Sequence, residues 1–314
     1  MNVTEREIAS QPSVWAKSLD QIEAAQHLLA ARGDRTLALG CGTSAFVAMA
    51  YAFLREGAGF GETDAAFGSE VPSRRYDRVV AITRSGTTTE ILDAVRSLPA
   101  GTRTVAVTAV TGEPVDALVD DRLVLSHADE GSVVQTRFPT TFLVLVRAAL
   151  GEDVTSVIAD GQLAVDAPLP VDPTDFEHFV FLGSGWAVGL AHEAALKIRE
   201  AAQAWSESYP AMDYRHGPIA VAGPRSLVWV FGPPPPGLVD AVRGTGATVV
   251  TSALDPLAQL VQAQRLAVTL AAHRGLDPDN PRGLTRSVIL AAAGSSAAAT
   301  TSGAIDPSTN GTPR

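Results

Sequence analysis

A repeated turn motif constrains the fold of this 314-residue chain more than any other feature of the sequence. Residues 39–45 and 182–188 each place a Gly-x-Gly turn after a short apolar run and before a segment with helical spacing. The two turns begin at Gly40 and Gly183, which lie 143 residues apart. Self-similarity at a long, fixed spacing predicts two copies of one structural unit. We therefore expect two tandem units of the same fold.

Short apolar runs rich in β-branched residues recur between the helical segments. The runs are nearly continuous rather than alternating, a pattern typical of strands buried on both faces of a parallel sheet. Strands are predicted at 36–39, 78–82, 104–108, 179–182, 227–231 and 247–250. Because these strands alternate with helices, the sequence indicates the α/β class, with each unit a doubly wound parallel sheet flanked by helices.

Motif positions and composition divide the chain into four predicted segments. These are a first unit with an N-terminal helix at 1–160, a linker at 161–173, a second unit at 174–290 and a tail at 291–314. The linker is predicted because the segment ends in closely spaced prolines. The tail is small, polar and aperiodic, which predicts disorder.

Charge and cysteine content exclude several classes of protein. Lysine and arginine number 24 against 34 aspartates and glutamates, so the net charge is −10, and no basic stretch favours nucleic-acid binding. The single cysteine, Cys41, excludes an intramolecular disulfide and a multi-cysteine zinc site. Residues 1–7 lack the start of a signal peptide, and no 18-residue apolar stretch occurs. We expect a cytoplasmic protein with no membrane or nucleic-acid partner.

A hydroxyl-rich segment at 83–90 follows the predicted strand that ends at Ile82 and opens a helical stretch. Hydroxyl groups, a glycine turn and the free amides of a helix N-terminus together suit a phosphate monoester. The alternative is that the hydroxyls only cap the helix. A second hydroxyl-bearing turn, with Thr43 and Ser44, ends the preceding strand. Neighbouring strand ends of a parallel sheet face one crevice, so both loops can converge on one ligand.

The glycine turns do not match a dinucleotide fingerprint. The position of the third glycine in Gly-x-Gly-x-x-Gly is Ala45 in the first copy and Val188 in the second. In the second unit, prolines occupy 233–236, where a hydroxyl loop would have to offer donors. We expect no nucleotide cofactor and one phosphate site per chain, in the first unit.

Ionisable residues in the second unit are candidates for acid/base chemistry. Spacings of four and three place Glu193, Lys197 and Glu200 on one face of a predicted helix. The ordinary explanation is a solvated face held by intrahelical ion pairs. The surrounding alanines favour a closely packed helix instead, which would suit Glu200 to moving a carbon-bound proton. His216, in the turn before Pro218, is a second candidate, although a lone histidine is more often structural.

Taken together, these motifs resemble those of a known family. Residues 42–44, 85–88, 193–197 and 216–218, with Glu130 ahead of Thr136-Arg137-Phe138, occur in the order found in sugar isomerase (SIS) domain proteins. The match resembles the isomerase half of glutamine–fructose-6-phosphate aminotransferase and runs from residue 7 to residue 284. Similar single-function relatives are amino-sugar-phosphate deaminases, tagatose-type ketose/aldose isomerases and fructosamine-6-phosphate deglycases.

The resemblance implies a role for each matching residue. Glu200 looks like the base that moves a proton between C1 and C2, and His216 like the ring-opening group, which a neighbouring subunit of a homodimer supplies in the aminotransferase. Glu193 and Lys197 would complete the catalytic helix face. The implied phosphate and sugar ligands are Thr43, Ser44, Thr83, Arg84, Ser85, Thr88, Gln135 and Arg286.

Three departures from the family pattern bear on the chemistry. No amidotransferase domain is found in the 314 residues, so the resemblance implies a nitrogen source other than glutamine. Arg286 stands where the aminotransferase has a Schiff-base lysine, and an arginine that stays protonated cannot form the imine. Gln135 replaces a serine that contacts the sugar. These departures leave the substrate open.

The resemblance implies a homodimeric aldose–ketose isomerase of hexosamine or hexose 6-phosphates that also deaminates and uses no metal or cofactor. One alternative is a fructosamine-6-phosphate deglycase. Another is a non-catalytic regulator that binds a sugar phosphate. The presence of both Glu200 and His216 favours catalysis, because a pure binder needs the hydroxyl loop but neither acid/base group.

Overall fold

The structure is a computed structural model that describes residues 1–290. The predicted tail at 291–314 lies outside the described residues. Within residues 1–290, no helix is both long enough and apolar enough to cross a bilayer.

Three short helices precede the first strand: α1 (Val3–Ala9), α2 (Gln11–Ser18) and α3 (Ile22–Leu29). The free amides at the start of α1 bond to the far end of the chain. The Asp279 carboxylate accepts hydrogen bonds from the amides of Val3 and Thr4, each at 2.8 Å. This contact ties the N-terminal helix to the C-terminal segment.

The first sheet contains five parallel strands in the order β2-β1-β3-β4-β5. Its strands are β1 (Thr36–Gly40), β2 (Thr63–Phe67), β3 (Arg78–Ile82), β4 (Arg103–Thr108) and β5 (Asp121–Val124). Four helices belong to this part of the chain: α4 (Thr43–Gly57), α5 (Thr89–Arg96), α6 (Arg137–Ala149) and α7 (Thr155–Asp166).

The second sheet contains four parallel strands in the order β7-β6-β8-β9. Its strands are β6 (His178–Gly183), β7 (Trp205–Pro210), β8 (Ser226–Val230) and β9 (Thr248–Val250). Its helices are α8 (Ala187–Ala202), α9 (Leu238–Arg243) and α10 (Pro256–His273). Short 3-10 helices occur at Leu19–Gln21, Pro114–Ala117, Ser126–Ala128, Pro173–Asp175, Asp213–His216 and Pro218–Val221.

Both sheets are covered on both faces. In β1, Ala38 faces a large core shared with α4 and α6, whereas Leu37 and Leu39 face α5. In β6, Phe181 faces the same large core and Val180 packs with α9. Helices on both faces explain the continuous apolar runs of the inner strands. The α/β class with parallel sheets is confirmed.

The predicted linker at 161–173 begins inside a helix. Residues 161–166 form the second half of α7, which packs against α2 and α10. A Cβ on Gly161 would lie 2.3 Å from the indole of Trp15, so the glycine allows α7 to cross the tryptophan. Glycine at this position therefore reflects close packing: residues 161–166 are helical, and the boundary between two units at 161–173 stays a prediction.

Helices α4 and α8 join the two halves of the molecule. A Cβ on Gly189 would lie 2.4 Å from the carbonyl oxygen of Phe46 and 3.1 Å from the amide of Ala50. The two backbones can approach this closely only because residue 189 is glycine. Toward its C-terminal end, α8 reaches Thr43 at the start of α4. The helices therefore run antiparallel, and the end of α8 meets the carboxyl edge of the first sheet.

Candidate active site

The three ionisable residues of α8 form one cluster at the contact with α4. The Lys197 ammonium lies 3.3 Å from Oε1 of Glu193 and donates to Oε2 of Glu200 at 2.5 Å and to Oγ1 of Thr43 at 3.1 Å. The side chains of Glu193 and Lys197 are 0% and 1% exposed, and that of Glu200 is 18% exposed. A solvated face does not describe this arrangement. Two residues are buried, and the third reaches solvent.

Burial sets the protonation of this cluster. Desolvation raises the pKa of Glu193 to about 7, and the nearby Lys197 opposes the shift only in part. Burial by itself lowers the pKa of Lys197, but the two carboxylates outweigh it and raise that pKa overall. The ammonium therefore stays charged beside Glu200. With a pKa of about 7, Glu193 is protonated in part near neutral pH.

Seven of the predicted ligands line a single small pocket at the carboxyl edge of the first sheet. Strands β1 and β3 are parallel neighbours, so the turns that follow them meet there. The lining includes Ser44, Thr83, Arg84, Ser85, Thr88, Gln135 and Arg286. Of the predicted ligands, only Thr43 lies outside this lining, because its hydroxyl bonds Lys197. Since Thr43 and Ser44 are adjacent in the chain, the pocket and the ionisable cluster adjoin.

Three residues that line the pocket, Arg84 through its Nε among them, have a buried polar atom without a partner within residues 1–290. Oγ1 of Thr83 and Oε1 of Gln135 are buried and have no hydrogen-bond partner within residues 1–290. Buried polar atoms are normally paired, because an unpaired one loses its hydration without compensation. A hydroxyl or phosphate oxygen of a ligand would satisfy Thr83. A hydroxyl or amino donor would satisfy Gln135.

Arg84 stabilises the wall of the pocket through contacts with the protein itself. Its guanidinium is 1% exposed and lies 3.7 Å from the Glu130 carboxylate. It donates to the carbonyl oxygens of Ser132, Val133 and Arg286, at 3.0, 3.5 and 3.2 Å. Arg84 therefore holds the loop that presents Gln135 against the C-terminal segment. We treat it as a positioning residue.

A carboxylate that the sequence analysis did not single out supports the same loop. Glu7 of α1 accepts hydrogen bonds from the amide of Gly131 at 2.6 Å and from the hydroxyl of Ser132 at 2.5 Å. It lies more than 120 residues away along the chain, and a single glutamate in a short helix carries no local signal of this contact. Glu7 is only 5% exposed because the tertiary structure buries it.

The C-terminal segment crosses the hydroxyl loop. The Thr87 and Ser287 hydroxyls lie 2.7 Å apart, and the amide of Thr89 donates to the carbonyl oxygen of Val288 at 3.2 Å. The Arg286 guanidinium pairs with Asp129 at 2.5 Å. The cavity beneath is about 30 Å³, close to the volume of one water molecule. A phosphate group therefore needs the segment or the loop to shift.

His216 lies apart from the ionisable cluster within one chain. It is exposed in the 3-10 helix after β7, at the carboxyl edge of the second sheet. Helix α8 runs back from that edge, and Glu200 lies 13 residues from its first residue, Ala187, which is about 20 Å at 1.5 Å per residue. Glu200 and His216 are therefore at opposite edges of the second sheet.

Sequence comparison shows that the chain is similar to isomerizing aminotransferases. Over 347 aligned positions the chain is 30% identical to glutamine–fructose-6-phosphate aminotransferase (isomerizing) from Aeropyrum pernix, covering 90% of this chain and 56% of that protein. The aligned part of that protein is its isomerase half, which consists of sugar isomerase (SIS) domains. This chain spans just over half the length of the curated aminotransferases that it matches. No protein-family model matches the chain.

Two solved structures share the fold of this chain over most of its length. Glucosamine-6-phosphate deaminase from Thermotoga maritima superimposes with a TM-score of 0.80 at 25% identity, covering 92% of this chain and all of the other. The C-terminal domain of glucosamine-fructose-6-phosphate aminotransferase from Francisella tularensis gives a TM-score of 0.77 at 20% identity, covering 90% and 98% of the two chains. At 20% identity, the similarity to the Francisella tularensis domain shows a shared fold only.

Proposed function

We propose that this protein is a SIS-domain phosphosugar isomerase that moves a proton between C1 and C2 of a hexosamine or hexose 6-phosphate and releases ammonia from the amino sugar. The supporting observation is that a hydroxyl-lined pocket adjoins a buried Glu-Lys-Glu cluster through Thr43 and Ser44. The hydroxyl-lined pocket suits a phosphate, and the Glu-Lys-Glu cluster suits proton transfer at carbon. The similarity to an isomerizing aminotransferase and to a glucosamine-6-phosphate deaminase supports the same function.

Phosphate binding is assigned to the hydroxyl loop. Ser85 and Thr88 flank the turn at Gly86, which has a φ of +67°, and Thr88 precedes the first residue of α5. Amides and hydroxyls at a helix N-terminus bind a dianion without a metal ion. Ser44 and Thr83 add hydroxyls from the neighbouring turn and strand end. The sugar carbons nearest the cluster are then those farthest from the phosphate.

Proton transfer is assigned to Glu200. Lys197 holds Oε2, which leaves Oε1 to take the carbon-bound proton from C2 of the open-chain sugar and return it to C1. Negative charge that develops on the substrate oxygen is stabilised by the Lys197 ammonium. With an amino sugar the product is a C2 imine. Water adds to that imine and ammonia leaves, which gives the ketose phosphate without a covalent enzyme intermediate.

The position of His216 supports a homodimer with shared sites. Within one chain, His216 and Glu200 lie at opposite edges of the second sheet. A ring-opening role for the histidine at the same substrate therefore requires His216 of a second copy. The two parallel sheets, each entered through a Gly-x-Gly turn, support the assignment of two tandem SIS domains at 1–160 and 174–290. A cytoplasmic location and the absence of nucleic-acid and membrane partners remain predictions.

Product analysis tests the proposed function. The purified protein is given glucosamine 6-phosphate and galactosamine 6-phosphate separately, and ammonia and ketose phosphate are measured. We expect both products in equal amounts from one of the two substrates, and we expect Glu200→Gln to lower kcat by at least about 100-fold. Measurable binding of both sugars with no ammonia and no ketose phosphate would contradict the proposal.

A further inference from the structure

A cavity of about 460 Å³ lies at the C-terminal end of α5, away from the candidate active site. Residues 71–76, between β2 and β3, form one wall, and residues 97–102, between α5 and β4, form the other. The hydroxyl loop lies at the opposite end of α5, which spans eight residues and about 12 Å at 1.5 Å per residue. Small-molecule sites have volumes of about 300–1,000 Å³. The cavity is therefore large enough for a ligand of its own.

The floor of this cavity is apolar. Val79 of β3 is 0% exposed and Tyr76 is 8% exposed. Val71 and Leu98, which also line the cavity, pack against the same core cluster. The Tyr76 hydroxyl donates to the Asp64 carboxylate at 2.6 Å, so it is already paired. A sugar placed on this floor would bury hydroxyls without partners, which is unfavourable. The floor therefore favours an apolar or aromatic group.

The solvent side of the cavity is polar and carries two arginines. Nη1 of Arg74 pairs with Asp64 at 2.8 Å. Arg75 is exposed, and within residues 1–290 its side chain forms no hydrogen bond or ion pair. None of the lining residues is acidic, and three of them carry hydroxyls: Ser73, Ser97 and Thr102. Guanidinium groups bind phosphate oxygens through charge-assisted hydrogen bonds. The opening of the cavity therefore suits a phosphate group.

We propose that this cavity binds a phosphate monoester whose organic part is apolar or aromatic. The phosphate lies at Arg75, with Arg74 as the second cation, and the organic part lies on Val79 and Leu98. The inference is independent of the proposed function, because no residue of the hydroxyl loop or of the ionisable cluster lines this cavity.

Three ligands separate the contributions of the two ends. Phenyl phosphate carries both, phenol lacks the phosphate, and methyl phosphate lacks the ring. Dissociation constants are measured by calorimetry on the full chain. We expect phenyl phosphate to bind at least about tenfold more tightly than either of the others. Arg75→Gln should weaken phenyl phosphate about tenfold and leave phenol unchanged. The matched control is Arg243→Gln, which removes an exposed arginine at the end of α9 and should bind phenyl phosphate as the wild type does.

A further variant separates this cavity from the hydroxyl-lined pocket. Ser85→Ala should bind phenyl phosphate as tightly as the wild type. A loss of affinity in Ser85→Ala with none in Arg75→Gln would place phenyl phosphate in the hydroxyl-lined pocket and overturn the inference. Equal losses in Arg75→Gln and Arg243→Gln would show a general effect of charge, which also overturns it. Equal affinities of the three ligands, or no binding of phenyl phosphate, would overturn the inference and leave the proposed function standing.

Discussion

At the scale of single residues, burial turns a common charge pattern into a candidate reaction centre. The spacing of Glu193, Lys197 and Glu200 predicts a shared helix face, and the structure places all three in one cluster. Spacing alone cannot show whether that face meets solvent or a neighbouring helix. Here α4 covers it, and Thr43 accepts a hydrogen bond from the buried ammonium.

The raised pKa of Glu193 predicts a pH-dependent stability. The folded chain holds this proton more tightly than the unfolded chain, because desolvation raises the pKa from an ordinary 4.5 to about 7. The stabilising contribution is full below about pH 4.5 and is lost as the pH rises through about 7. Glu193→Gln should therefore lose less stability than the wild type between pH 5.5 and pH 8, as measured by urea denaturation.

The control for this prediction is Glu23→Gln, which removes an exposed carboxylate on α3. It should follow the wild-type pH dependence. If Glu193→Gln also followed the wild-type curve, the assignment of the titration to Glu193 would be wrong.

The hydroxyl loop gives a second prediction at this scale. Ser85 is 8% exposed, and its Oγ accepts hydrogen bonds from the amide and hydroxyl of Thr87. Its own proton is therefore available to a phosphate oxygen. Ser85→Ala should weaken binding of a 6-phosphate sugar by about tenfold and leave binding of the unphosphorylated sugar unchanged. Ser73→Ala, at an exposed serine, is the control; equal losses for both sugars would exclude the phosphate assignment.

At the scale of elements, the sequence predicts the inner strands and misses most of the edges. β1, β3, β4, β6 and β8 carry continuous apolar runs because helices cover both of their faces. β2, β5 and β7 were not predicted. They are edge strands with polar sequences and partly exposed side chains. Their pairing depends on the neighbouring strand, so no local pattern indicates it.

The contact between α4 and α8 predicts that adding one methyl group at residue 189 lowers the stability of the fold. In Gly189→Ala the new Cβ would lie 2.4 Å from a backbone carbonyl oxygen, so the helices must separate. We expect a loss of about 1–3 kcal/mol in the free energy of unfolding, measured with urea. The matched control is Gly57→Ala in α4, where a Cβ meets nothing within 4 Å. A Gly189→Ala variant as stable as the control would show that the helices tolerate a wider spacing.

At the scale of the whole molecule, the site is assembled from distant parts of the chain. The hydroxyl loop and Ser44 converge because β1 and β3 are neighbours, which the α/β pattern allowed us to predict. The supporting contacts of Glu7 and Arg84, by contrast, depend on how the first helix and the C-terminal segment pack on the first sheet. Such contacts follow from tertiary structure and leave no mark in local sequence.

The separation of Glu200 and His216 predicts complementation between inactive variants. If each site combines Glu200 of one chain with His216 of another, mixed dimers of Glu200→Gln and His216→Asn contain one intact site. Random reassembly after mild unfolding should restore about a quarter of wild-type activity, as expected for a two-fold symmetric dimer. Activity is assayed before and after mixing. No recovery from two folded, dimeric variants would contradict a site shared between subunits.

Solvent deuterium labelling tests the central claim most directly. Glu200 is 18% exposed, so a proton that it takes from C2 exchanges with solvent before return to C1. When the amino-sugar 6-phosphate reacts in D2O, NMR should show deuterium at C1 of the ketose phosphate, and Glu200→Gln should incorporate none over the same time. Product with no solvent deuterium at C1, or incorporation at the wild-type rate in the variant, would contradict proton transfer by Glu200.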